Sequence, residues 1–88
     1  MGHRAFGAAE MPYEEKYPVG TVVRIASLDR LRAFKQQWKF HHPLDGEQLK
    51  FAGTPDKVCG VSFYHGGDVV YHLEDAPGNW HEDLLDPA

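Results

Sequence analysis

Apolar and polar positions change rhythm several times along this chain, and each change marks an element. Thr21 to Ile25 is β-branched at four of five positions, which favours the pleated conformation, and Pro18 and Gly20 punctuate its start. Leu28, Leu31, Phe34 and Trp38 then recur at helical spacing and define one face of a helix over 28–38. Ser27 is placed to cap it. This face predicts burial of Leu28, Leu31 and Phe34, with Trp38 and Phe40 lying where that cover ends. Arg30, Arg32, Lys35 and Lys39 fall on the other faces, so the helix is amphipathic and locally basic. Phe40-His41-His42-Pro43 ends it, because the residue before proline avoids the α region. Asp45 and Gln48 form a capping-box pair at the start of a second short helix over 46–51, and Gly53 suits the left-handed position after it.

From Lys57 the period becomes two. Val61 and Phe63 share one strand face, with Val58, Gly60 and Ser62 at the alternate positions. Val69, Tyr71 and Leu73 alternate with Val70, His72 and Glu74. Between the two strands, His65-Gly66-Gly67-Asp68 reads as a hairpin turn, since glycine takes positive φ without steric penalty. Asp75-Ala76-Pro77-Gly78-Asn79 is a second turn. A short strand around Trp80-His81 follows, with Leu84 and Leu85 as the final core contacts. Antiparallel pairing of 20–26, 57–65, 69–74 and 79–82 is predicted. The class expected is mainly β: a small SH3-like antiparallel β-barrel with a helical insertion after the first strand. Residues 1–16 carry neither period and are expected to form a disordered tail, leaving 17–88 as the barrel domain.

Composition narrows the function classes. A chain of 88 residues has room for one core. Its formal charge of −4 lacks the surplus of Lys and Arg that grips a phosphate backbone, which argues against nucleic acid as the main partner. The basic helix, with Arg24 beside Arg30, Arg32, Lys35 and Lys39, is the local exception and leaves nucleic-acid binding as a weaker alternative. The single cysteine, Cys59, suits a reducing compartment, so a cytoplasmic setting is expected. The apolar runs are too short for a membrane-spanning helix, and the N-terminus lacks the apolar core of a signal peptide.

Histidine is the one overrepresented chemical group, with six copies. His3 aside, His41, His42, His65, His72 and His81 are candidate metal ligands, joined by Cys59, Asp68, Glu82 and Asp83 as possible partners. Their spacing contains no Cys-x-x-Cys and no His-x-x-x-His, and the adjacent His41 and His42 point to opposite sides of an extended chain. Solvent-facing and turn histidines are the plainer reading, and neither a metal nor a cofactor is expected. Cys59 lacks an activating motif and is expected in the core. His65-Gly66-Gly67-Asp68 lacks the lysine and following helix of a phosphate loop. No catalytic constellation is present. Trp38, Phe40, Tyr64, Tyr71 and Trp80 supply aromatic surface, and aromatics concentrate at interfaces. The partner-binding residues expected are therefore Arg32, Lys35, Trp38, Lys39, Phe40, His41 and His42.

Three stretches resemble a known family. Pro18-Val19-Gly20-Thr21-Val22-Val23-Arg24 resembles the opening strand of the SH3-like barrel at the C-terminus of nitrile hydratase β-subunits. Val69-Val70-Tyr71-His72-Leu73 is similar to a family strand with a central tyrosine. Trp80-His81-Glu82-Asp83-Leu84-Leu85-Asp86-Pro87 is similar to the closing Trp-x-Glu-x-x-Leu-x-Pro segment, which in such barrels returns the chain beside its first strand. In nitrile hydratases the metal and its cysteine cluster belong to the α-subunit, while the β barrel contributes to the subunit interface. This chain has no cysteine cluster, and the helix over 28–38 departs from the family pattern, so the resemblance implies an interaction role without the catalysis. The expected function is a non-catalytic protein-interaction module, or an accessory or small subunit of a larger bacterial complex, whose partner is another protein. The alternative is a metal-binding protein or metal-dependent enzyme component using the histidines.

Overall fold

The computed structural model describes residues 15–38, 42–64 and 68–88. The expected tail lies outside these residues except for Glu15 and Lys16. In chain order the elements are β1 (Val22–Ile25), α1 (Leu28–Gln37), a first 3-10 helix (Gly46–Phe51), β2 (Pro55–Phe63), β3 (Val69–Leu73), β4 (Trp80–His81), a second 3-10 helix (Glu82–Leu84) and β5 (Leu85–Pro87). The domain is mainly β, with five antiparallel strands in a single sheet of order β4-β3-β2-β1-β5. All four predicted regions contribute antiparallel strands, with shifted bounds: Val22 opposes Lys57, Val61 opposes Tyr71, and Tyr71 opposes Trp80. The closing segment returns to the first strand, where Ile25 opposes Leu85 and Val23 opposes Pro87. The sheet stays open, with β4 and β5 as its edges. Those edges are two and three residues long, too short to carry pairing around into a closed cylinder.

The β2–β3 hairpin closes with Phe63 opposite Val69 and the Tyr64 amide donating to the Asp68 carbonyl at 3.0 Å. The glycines assigned to its turn, with His65, lie outside the described residues. Within the hairpin the register shifts between Val58 and Gly60, so Cys59 is an extra residue opposite none of its own. This bulge changes parity. Before it Asp56 and Val58 face inward; after it Val61 does, opposite Tyr71. Val58 therefore joins the core rather than the face of Gly60 and Ser62, and Cys59 is exposed instead of buried.

The helix expected over 28–38 ends one residue early, at Gln37, with Trp38 as its C-cap donating to the Phe34 carbonyl at 2.8 Å. Ser27 caps the start by accepting from the Arg30 amide. Leu31 is fully buried and Phe34 packs against the core, but Leu28 is 37% exposed, contrary to expectation. At 3.6 residues per turn, Leu28 lies about 90° around the helix from the centre of the Leu31–Phe34–Trp38 stripe. The core itself centres on Val23, Ile25, Leu31, Val58, Tyr71 and Trp80.

Two buried polar side chains hold the 75–79 turn. The Asp56 carboxylate accepts from the amides of Lys57, Asp75 and Ala76. Gln48 completes the capping box with Asp45 and also donates through Nε2 to the Asn79 carbonyl at 2.9 Å. Gly53 follows the first 3-10 helix with φ of +76°, as its sequence position predicts. No described helix is long and apolar enough to cross a membrane.

Candidate functional site

Pairing across β3 and β4 sorts four side chains onto two faces. Tyr71 and Trp80 point into the core, whereas Val70 and its partner His81 lie on the opposite face, and both are buried. The simple alternation of β3 thus hides a strand covered on both sides. His81 is the centre of a second, aromatic cluster there. Its ring centroid lies 4.8 Å from those of Phe34 and Trp38, and 6.5 Å from that of His42. Phe34 and Trp38, four apart on α1, stack at 5.3 Å with planes 13° apart. His42 in turn packs on Tyr64 at 4.5 Å.

His42 precedes Pro43 and holds φ at +51°, a left-handed conformation that disfavours a side chain with a Cβ. Its partners define it: the Asn79 amide nitrogen reaches His42 Nδ1 at 3.1 Å, and His81 Nε2 reaches the His42 carbonyl at 3.0 Å. The amide donates, so Nδ1 is the acceptor, and Nε2–H of His81 donates to the carbonyl. Both histidines are thus built into the structure through their hydrogen bonds.

Beside the aromatic cluster lies a cleft of about 240 Å³ lined by Phe34, Trp38, Asp68, Val69, His81, Glu82 and Asp83. The Phe34, Trp38 and His81 rings and three acidic residues line it, and among the described residues no lysine or arginine does. Glu82 is fixed from behind. The Tyr71 hydroxyl donates to Glu82 Oε2 at 2.5 Å and accepts from the amides of Lys16 and Tyr17 at 2.9 and 3.1 Å. Lys16 N also reaches the same carboxylate oxygen at 3.0 Å. Burial first, and then the hydrogen bond to the Glu82 carboxylate, push the Tyr71 hydroxyl far above its ordinary value of 10.0, while the two backbone amides pull it down. On the other side of the Glu82–Leu84 turn, Arg30 bridges to Asp86 Oδ2 at 2.7 Å and to the Asp83 carbonyl at 2.6 Å.

The structure brings together only part of what the sequence grouped. Trp38 and His42 sit in the aromatic cluster; Arg32 and Lys35 are exposed on α1. Lys39, Phe40 and His41 lie outside the described residues. Among the metal candidates, His42 and His81 are neighbours, His72 is exposed beside Gly60, and His41 and His65 are outside the described residues. No group of three or more His, Cys, Asp or Glu is placed to hold a metal ion among the described residues. Of the basic side chains, Arg24 donates to the Gly53 carbonyl and Arg30 is engaged by Asp86. Sequence reasoning missed the pairing of Glu82 and Asp83 with the Phe34–Trp38 face. The signal was there in a weak form, as two acidic residues immediately after the Trp80-His81 strand. No protein-family model, curated protein or solved structure matches this chain.

Proposed function

We propose that this domain is a non-catalytic protein-interaction module, an SH3-like barrel relative that serves as an accessory or small subunit. The observation that carries this reading is the Phe34–Trp38–His81 aromatic group, which lines a cleft and is assembled from the end of α1 and an edge strand. Aromatic anchors ringed by polar groups are the usual energetic centre of a protein interface. The strand order supports the SH3-like part, because the last strand lies beside the first and a 3-10 turn precedes it. That arrangement supports the resemblance to the nitrile hydratase β-subunit barrel, from which the proposed interaction role is taken. Exposed Arg32 and Lys35 lie on α1 and acidic residues line the cleft, so the surface offers both signs of charge and fits a partner of mixed charge. A cytoplasmic setting accords with a lone, exposed cysteine.

The test compares wild type with an R32E/K35E double variant and with Trp38→Ala in affinity capture from the native host, followed by titration of the captured protein. The double variant should keep its melting temperature and lose about tenfold or more in affinity, because the reversed charges meet like charge on the partner. Trp38→Ala should weaken binding further. A captured partner that binds all three proteins alike would place the interface elsewhere and overturn the reading.

A further inference from the structure

The cleft also constrains the chemistry of what it receives. At about 240 Å³ it is smaller than the roughly 300–1,000 Å³ of sites that enclose a whole small-molecule ligand, so it suits one side chain. The Phe34, Trp38 and His81 rings line it, and among the described residues its acidic lining comes from Asp68, Glu82 and Asp83. Ring faces attract cations, and a planar cation both stacks on rings and forks onto carboxylates. Among the described residues, the Asp83 carboxylate and Oε1 of Glu82 accept no hydrogen bond, while Oε2 is held by the Tyr71 hydroxyl and the Lys16 amide. That anchoring fixes the Glu82 carboxylate beside the rings before anything binds. Elsewhere on the same segment Arg30 shows the polar half of such a contact, donating to the Asp86 carboxylate and the Asp83 carbonyl.

We propose that the cleft between the end of α1 and the Glu82–Leu84 turn receives the guanidinium of an arginine side chain presented by the partner protein. This rests on the interaction-module reading and names the group that reading leaves open. The rings take the flat face of the guanidinium, and Glu82 and Asp83 take its N–H edge. A lysine ammonium, a point charge with no flat face, makes the second contact without the first.

The experiment titrates the intact protein with Nα-acetyl-arginine amide, its uncharged citrulline analogue and Nα-acetyl-lysine amide, following backbone amides and the Trp38 indole N–H by NMR. Saturable shifts at Trp38, Val69, Glu82 and Asp83 are expected with the arginine probe. Binding should be weaker by about fivefold or more for citrulline, weaker for lysine, and reduced by added salt. Asp83→Asn should weaken the arginine probe by about threefold or more while leaving the melting temperature unchanged, because its side chain is exposed. No saturable shift at these residues, equal binding of citrulline, or lysine binding as well as arginine would overturn the assignment. If the arginine probe fails while R32E/K35E still abolishes partner binding, the cleft assignment falls and the module stands. If the probe binds but no partner depends on α1, the module falls and the cleft stands.

Discussion

Gly78 shows how much of this fold rests on single positions. It has φ of +87°, and a Cβ built there would meet Gln48 Nε2 at 2.9 Å, the group that holds the Asn79 carbonyl. Gly53 has a similarly positive φ of +76° but open space around it. The pair separates backbone strain from steric conflict. Gly53→Ala should cost about 1–2 kcal/mol from the left-handed conformation alone. Gly78→Ala adds displacement of a buried amide and should cost about 2–4 kcal/mol, with a correspondingly larger fall in melting temperature, about 4–8 °C per kcal/mol in a domain of this size. Equal melting temperatures for the two variants would show that Gln48 moves aside freely. Gln48 itself was legible in the sequence only as a cap residue. Its second role, across to the 75–79 turn, depends on tertiary proximity that no local pattern encodes.

At the scale of elements, hydrophobic periods located α1 and the β2–β3 hairpin, and β-branched composition located β1. Features that break a period were illegible. The Cys59 bulge reversed the inward parity of β2, so Val58 lies in the core and Cys59, expected there, is exposed. The cleft joins the end of α1 to residues far along the chain, and only the helix side of it was foreseen. Tyr71 is the strongest junction between elements, since its hydroxyl ties the segment before β1 and the second 3-10 helix to β3. Tyr71→Phe should cost about 1–3 kcal/mol, the range for buried donors left unsatisfied, and should lower hydrogen-exchange protection at the Lys16 and Tyr17 amides first. Protection unchanged at those amides would mean that other contacts hold the segment. The pH response has a definite sign. The fold raises the value of this hydroxyl above 10.0, so it favours the protonated form. The stabilisation is therefore fully present below pH 10.0 and drains away as pH climbs from there toward the folded value. Denaturant midpoints measured on either side of that pH should show the alkaline loss in wild type and less of it in Tyr71→Phe.

Over the whole molecule, the first strand is held by the last, and the segment before β1 reaches the same place: the Tyr17 hydroxyl donates to the Leu85 carbonyl across 68 positions of sequence. Such distant pairing puts folding in the slower, non-local class. It also gives the domain a mechanical character. The start of β1 and the end of β5 lie together, since Val23 opposes Pro87 while Ile25 opposes Leu85. Tension applied between residues 15 and 88 would therefore load the rungs of that pair one after another, as in a zipper, instead of all at once. Ahead of them stand the ties of Lys16 and Tyr17 to Tyr71, Glu82 and Leu85, and the backbone bonds of Gly20 and Thr21 with Val58. Single-molecule pulling between those two points should record an early small event as the ties part, then peeling of β5 at low force. Anchoring the same protein at Arg24 and Asp86, which face one another, would load that rung directly and resist no better. Pulled between residues 15 and 88, the molecule opens first at the seam where its first and last strands meet.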